Sequence, residues 1–390
     1  MNKIFDNTQN AFALKSDTEL DRAYFLFKMI SIEPLVRIGT AVTNFAININ
    51  LPVEGLIRAT VFDHFCGGIS ETDCMQVVDK MYTKGVSSVL DYSVEGKEDE
   101  SCFDDAMQMA LKIIDFAKEK KSIPFVVFKP TGFGRFELYE KLGENQILNE
   151  TDQAEWLRVE NRFDTVCKKA FENDICLLVD GEESWMQDAS DELVERMMQK
   201  YNTKKAIVFN TLQMYRWDRL DYLKKLHGKA KSNGFFIGMK LVRGAYMEKE
   251  NVRAEEKGYK SPICESKKAT DDNFDAAIDY MIENIDCMSI FAGTHNELSS
   301  YTLMEKMKLN NILNNDERIW FGQLYGMSDN ISYNLAIEKY NVAKYLPFGP
   351  VKDVMPYLIR RAEENTSVAG QTSRELLLIK TERNRRKGKN

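Results

Sequence analysis

Short runs rich in Val, Ile, Leu and Phe recur along the chain at 85–92, 124–129, 175–180, 206–211, 235–242, 288–292, 319–324 and 342–346. Runs of this length bounded by turn residues, such as the Asn233 and Gly234 that precede the fifth, read as buried strands. Between them, apolar positions return every three or four residues at 103–118, 153–171, 188–199, 216–232, 270–283, 298–307 and 331–339, the stripe of an amphipathic helix. Strands alternating with helices imply a parallel sheet with right-handed crossovers, and eight is the number that closes it. The expected class is α/β, a (βα)8 barrel of TIM type. An open doubly wound sheet is the alternative; it is weakened because no Gly-x-Gly-x-x-Gly follows an early strand.

Helical spacing also precedes the first strand. Asp17 can cap a run through Glu19, Leu20, Tyr24, Leu26 and Phe27, and 36–45 continues the apolar spacing before Pro52. An amphipathic helix must bury its stripe somewhere, so residues 1–83 are expected to form a helical arm or cap, 84–366 the barrel, and 367–390 a last helix with a basic tail. Within 354–364, Tyr357, Arg360, Arg361 and Glu364 share one face at three- and four-residue spacing. A solvated face with an internal Arg360 to Glu364 pair is the plainer reading of that pattern.

Composition narrows the classes. The chain has 390 residues, 44% of them hydrophobic and 29% charged, an ordinary globular balance with no apolar run near the eighteen needed to cross a bilayer. The first fourteen residues resemble neither a secretory signal nor a transit peptide, so cytoplasmic residence is the default expectation. Seven cysteines without close pairing point to reduced thiols, and His64, His227 and His295 form no metal-ligand pattern. A net charge of -7 argues against nucleic acid as the main partner. Lys380, Arg383, Arg385, Arg386, Lys387 and Lys389 make the tail an exception, read as a solvated end with peripheral contact to an anionic membrane as the alternative.

In a (βα)8 barrel, chemistry sits at the C-terminal ends of the strands. Those positions hold Asp91, Lys129, Asp180, Gln213, Lys240 with Arg243, then Thr294, His295 and Asn296, and finally Gln323 and Tyr345. A cation inside an apolar strand is costly unless an anion receives it, so Lys240 and Arg243, with Arg360 and Arg361 after the last strand, suggest an anionic ligand. Lys240 snorkelling from an exposed strand and Arg243 opening a loop is the plainer reading of that pair alone.

The same blocks carry a resemblance. Lys240-Leu-Val-Arg-Gly-Ala-Tyr246 and Tyr357-Leu-Ile-Arg-Arg-Ala-Glu-Glu-Asn365 resemble the flavin-dependent proline dehydrogenase family. Phe128-Lys-Pro-Thr131, Leu178-Val-Asp-Gly-Glu-Glu183, Phe209-Asn-Thr-Leu-Gln213, Thr294-His-Asn296, Phe321-Gly-Gln-Leu-Tyr-Gly-Met327 and Tyr345-Leu-Pro-Phe-Gly349 follow in the family's order, covering about residues 60 to 366. The resemblance implies a distorted (βα)8 barrel with its last helix over the mouth, FAD bound without a Rossmann domain, and oxidation of L-proline to Δ1-pyrroline-5-carboxylate.

It also implies roles. Arg360 and Arg361 resemble the arginines that bind the proline carboxylate, and Lys129 resembles a third cation, for which Asp180 is the natural partner. Tyr345, Tyr246 and Tyr357 would wall the ring. Lys240, Arg243, Gln213, Lys267, Thr294, His295, Asn296 and Glu364 resemble contacts to FAD, Gly244 and Ala245 allow close backbone approach, and Gln323 is either a contact or a support. Cys264-Glu-Ser-Lys267 departs from the familiar pattern just before its lysine. The implied reaction is hydride transfer from proline C5 to flavin N5, with reoxidation by a membrane quinone and a separate Δ1-pyrroline-5-carboxylate dehydrogenase as pathway partner. A hydroxyproline dehydrogenase of the same fold is the rival enzyme, which Tyr345 argues against, and a non-catalytic binding or scaffold barrel is the rival outside enzymes.

Overall fold

The computed structural model describes residues 3–32, 34, 54–94, 98–367 and 371–388. The expected helical continuation at 36–45 lies outside these residues. Eight parallel strands, β1 (Val86–Tyr92), β2 (Phe125–Phe128), β3 (Cys176–Val179), β4 (Val208–Gln213), β5 (Ile237–Val242), β6 (Met288–Gly293), β7 (Ile319–Leu324) and β8 (Val342–Phe348), close into a barrel in sequence order. Every expected strand is present, and the barrel rather than the open sheet is the arrangement found. β4 starts and ends two residues later than its apolar run, because Ala206 and Ile207 are buried before the ladder begins.

The helices that matter below are α1 (Asp17–Ile30), α2 (Glu71–Tyr82), α3 (Glu100–Ala117), α4 (Phe136–Gly143), α5 (Glu150–Glu172), α6 (Ser184–Tyr201), α7 (Arg219–Asn233), α8 (Met247–Lys257), α9 (Lys267–Glu283), α10 (Glu297–Leu309), α11 (Asp329–Ile337), α12 (Met355–Ser367) and α13 (Gln371–Arg386). Ser16, not Asp17, caps α1: its hydroxyl accepts from the Glu19 amide while Glu19 reaches back to the Ser16 amide. This is the reciprocal arrangement that Ser followed three residues later by Glu favours, and Asp17 takes the first helical position.

The chain forms two compact units, Met1–Glu95 with Gln323–Asn390, and Gly96–Gly322, a grouping that differs from the linear division at 83/84 and 366/367. In the first unit, β1 pairs with β8 from Val86 opposite Val342 to Tyr92 opposite Phe348. Leu20, Ala23 and Phe27 of α1 pack on Leu378 and Ile379 of α13. The basic tail is therefore only partly a solvated end: Lys380, Arg385 and Lys387 are exposed, while Arg383 and Arg386 are held against the chain. It is the last turns of α13, where Arg383 binds Asp21 at 2.6 Å and Arg386 binds Asp17 at 2.8 Å. Arg386 also donates to the Lys15 and Phe12 carbonyls. Glu382, fully buried, accepts from Thr8, Arg385 and Arg386. The sequence pattern missed this because the anions that pair with these cations lie at the other end of the chain.

The second unit pairs β2 through β6 with one another and β6 with β7. Its interior is aromatic: Phe125 meets Phe209, Phe291 and Trp320 edge to face, at centroid distances of 5.8, 5.1 and 5.1 Å. Glycine makes room for these rings. A Cβ at Gly322 would stand 2.1 Å from Phe291, and one at Gly238 would stand 2.6 Å from Phe209.

Candidate active site

The second unit carries the expected site residues from β2 to β6. Lys240, 6% exposed within β5, gives its ammonium to the Asp180 carboxylate just after β3 in a very short contact. Asp180 is thus paired with Lys240 rather than with Lys129 as expected. The reason is geometric: β3 and β5 are alternate strands, whose inward side chains share a layer in a barrel. A strand-interior cation left without an anion would be costly.

Arg243, the first residue past β5, has its whole fork engaged. It donates from Nε to Asp271 at 2.7 Å, from Nη1 to the Thr294 hydroxyl at 2.9 Å and from Nη2 to the Ser299 hydroxyl at 3.0 Å, with its guanidinium 4.6 Å above the Phe274 ring. Lys267 donates to the other oxygen of Asp271 at 2.7 Å from an exposed position. Burial pushes the Asp271 carboxyl up, but hydrogen bonds from Lys267 and Arg243 hold it below the usual range. Asp275 accepts from Ser299 at 2.7 Å, and burial raises its carboxyl. Asn296 caps α10 by accepting from the Leu298 and Ser299 amides, while its own amide donates to Thr294 Oγ1 at 3.1 Å. His295 between them is half-buried. Gly244 adopts a φ of +130°, where a Cβ would sit 2.5 Å from the Tyr215 ring. Only glycine suits that turn, and it leaves Gly244 and Ala245 exposed.

A carboxylate to which the sequence reading gave no role ties the rest together. Glu182, 5% exposed, accepts the Thr131 hydroxyl at 2.9 Å on one oxygen and the Tyr246 hydroxyl at 2.7 Å on the other. Its backbone carbonyl accepts from Gln213 Nε2 at 2.6 Å. Burial raises the Glu182 carboxyl, and half-buried Lys129 and the two hydroxyls act against that rise. Burial and then Glu182 push the Tyr246 phenol well up, keeping it a donor. Its position two residues beyond a strand-end acid was the available signal. Ser299 and Asp271 carried none, because each is an ordinary helix residue until Arg243 reaches it.

In the first unit, Gln323 is buried and its carbonyl oxygen accepts from Ser332 at 2.8 Å, the geometry of a support. Tyr345 is buried in β8, and its carbonyl accepts from the Tyr325 amide at 2.8 Å. On α12, Tyr357 is buried and Arg361, half-buried like Arg360, holds its guanidinium 5.2 Å from the Tyr357 ring. Glu364 lies in α12 where side chains fall outside the description. Lys344, which the apolar pattern concealed, is fully buried in β8 and pairs with Asp329 at 2.9 Å; Lys15 reaches the other Asp329 oxygen at 3.3 Å.

The residues of the second unit suit a large anionic, aromatic cofactor. Cations, an amide and a hydroxyl stand at or near the ends of consecutive strands β4 to β6, beside the exposed backbone of Gly244 and Ala245. This lining on an α/β barrel fits the class of oxidoreductases that hold a flavin without a Rossmann domain. Comparison with known proteins agrees: the proline dehydrogenase family model matches residues 74–374. The chain is 35% identical over 335 residues to the carbapenem antibiotics biosynthesis protein CarD of Pectobacterium carotovorum, covering 85% of this chain and 86% of that one. It is 28% identical to mitochondrial proline dehydrogenase 1 of Dictyostelium discoideum, covering 99% of this chain and 75% of that one. Among solved structures, proline utilization A from Bdellovibrio bacteriovorus, inactivated by N-propargylglycine, superposes with a TM-score of 0.72 at 20% identity. That match covers 92% of this chain and 38% of the larger one, and it speaks to the fold. The chain belongs to the proline dehydrogenase family. Its general reaction is the FAD-dependent oxidation of proline to Δ1-pyrroline-5-carboxylate.

Proposed function

We propose that this chain oxidises L-proline at C5, with Arg360 and Arg361 receiving the substrate carboxylate. The observation that carries this reading is the adjacent pair on α12, with Arg361 held over the buried Tyr357 ring. A planar, permanently charged fork suits a carboxylate better than an ammonium does. Lys129 contributes a further cation, and Tyr246, Tyr345 and Tyr357 present apolar faces that suit a five-membered ring and exclude water. The C5–H bond breaks, two electrons and the hydrogen leave, the amine proton passes to solvent, and a C5=N bond forms. FAD, when bound, supplies the two-electron acceptor; Gln213, Lys240, Arg243 and the Thr294 to Asn296 segment are the residues that would hold it, with Lys267 and Glu364 as further contacts. Lys240 and Arg243 hold positive charge at strand ends, where it favours an electron-rich ring.

We further infer that a quinone accepts the electrons and that a separate dehydrogenase consumes the product. No helix among the described residues is long and apolar enough to cross a membrane. In the tail, Arg383 and Arg386 are committed to Asp21 and Asp17, which leaves the exposed Lys380, Arg385 and Lys387 for any contact with an anionic surface. Steady-state turnover of L-proline against trans-4-hydroxy-L-proline, with a dye or soluble quinone and with flavin content measured, tests the reading. Faster turnover of the hydroxylated ring would transfer the assignment to a hydroxyproline dehydrogenase, and no turnover of either would leave a non-catalytic barrel.

A further inference from the structure

Glu182 makes more of its surroundings than a core acid needs. Its two carboxylate oxygens each take a hydroxyl, Thr131 from the turn after β2 and Tyr246 from the loop before α8. Its backbone is pinned on both sides, the carbonyl by Gln213 at the end of β4 and the amide by Gln187 Oε1 at 2.9 Å. Gln187 is itself fixed: its amide donates at 2.8 Å to the buried Asp191, which also accepts from Asn210 at 2.8 Å and Arg219 at 2.7 Å. A saturated network of this kind, built on rigid elements, holds a side chain in one rotamer. The Tyr246 side is braced independently. Glu250 of α8 accepts from the Ser184 amide and hydroxyl at 2.6 Å each, and Lys249 binds Glu183 at 2.8 Å.

We propose that Glu182 is a positioning residue of the proline site: its carboxylate aims the Tyr246 and Thr131 hydroxyls and stands as the counter-charge beside Lys129. The inference rests on the functional reading above, in which Lys129 and Tyr246 face substrate. Two acceptor oxygens are required because both neighbours donate. Glutamine keeps the shape but offers one acceptor and one amide donor, so one hydroxyl loses its partner and Lys129 loses its nearby anion. The consequence falls on how well the substrate is held rather than on the chemistry of the bond broken.

The test uses FAD-loaded wild type, Glu182→Gln, Tyr246→Phe and the double variant, with proline kinetics on a dye acceptor. Binding of tetrahydro-2-furoate, a ring carboxylate with oxygen in place of the amine, is followed by the change in flavin absorbance. Each single variant is expected to raise KM and the analogue Kd by roughly tenfold, with kcat within about threefold and flavin content and Tm unchanged. The double variant should be no weaker than the worse single, since both remove one interaction. Additive effects, or a fall in kcat with KM unmoved, would overturn the proposal. If Glu182→Gln does not retain FAD, Tyr246→Phe and Thr131→Val decide the matter: KM unchanged in both overturns it. Wild type that fails to turn over proline overturns the functional reading itself, whereas wild-type turnover with unmoved variant KM overturns only the role of Glu182.

Discussion

At the scale of single residues, the molecule depends on where cations find anions. Lys240 and Arg243 were legible because charge inside a strand pattern is conspicuous. Their partners were not, because apolar spacing reports strand order but not which inward side chains share a layer. Hence Asp180 was matched with Lys129, and Glu182 went unassigned although it accepts two hydroxyls. Arg361 offers the sharpest test at this scale. If it clamps the carboxylate, Arg361→Met removes two directed, charge-assisted hydrogen bonds and should lower kcat/KM by about a thousandfold, roughly 4 kcal/mol, with FAD retained. Arg361→Lys should recover only part of that, because it restores charge without the fork. A surface pair would cost under about 1 kcal/mol, so near wild-type kcat/KM in Arg361→Met, with flavin measured in each sample, removes the residue from the site.

At the scale of elements, all eight strands could be read from apolar runs, and so could most helices with a clear stripe, although the short α4, with Leu138 and Tyr139 buried, and α2, with Val78 and Met81 buried, were not singled out. α8 escaped because Met247-Glu-Lys-Glu-Asn-Val-Arg-Ala-Glu-Glu-Lys257 is polar nearly all round; it is fixed by Glu250, Lys249 and Arg253 instead of by an apolar face. α13 was half legible, its apolar positions visible and its ion pairs not. Ending the chain after Ile379 deletes Glu382, Arg383 and Arg386 with their bonds to Thr8, Asp21 and Asp17. The loss should be about 2 to 4 kcal/mol after discounting the exposed pairs, seen as a Tm several degrees lower. An unchanged Tm would show that the packed helix does not depend on its last turns. Glu375 of the same helix, buried against the Ser328 amide, is pushed up to about 7 by burial and then by Asp329. Its folded pKa lies above the unfolded value, so its contribution is full below about pH 4.5 and fades as pH rises through about 7. Glu375→Gln keeps an acceptor for Ser328. It should match wild type near pH 4.5 and exceed it by about 1 to 3 kcal/mol at pH 8 in urea unfolding; parallel pH dependences would contradict that burial.

For the molecule as a whole, every strand named among the described residues belongs to the barrel. The apolar pattern at 84–366 accounts for those strands and most of their flanking helices, with no Gly-x-Gly-x-x-Gly turn in the sequence and no strand outside the barrel among the described residues. Reduced enzyme should therefore be reoxidised faster by a soluble quinone analogue than by NAD+, followed as recovery of flavin absorbance, and efficient NAD+ reduction would refute this. Denaturation and chromatography should release about one FAD per chain. Added FAD should also raise Tm by mass action, by the equivalent of about 2.7 kcal/mol at a hundred times its Kd; release of FMN would point to a different cofactor.

The contact between Thr8 and Glu382 joins positions 374 residues apart, and Leu20 and Phe27 share a cluster with Leu378 and Ile379. A ribosome adding about 5 to 20 residues per second needs roughly 20 to 75 s to span that interval. During synthesis, the apolar face of α1 therefore waits for a partner made about 350 residues later. Until α13 is made, that face has no cover from it, and a nascent chain stopped before residue 371 is expected to leave the face open to hydrophobic probes.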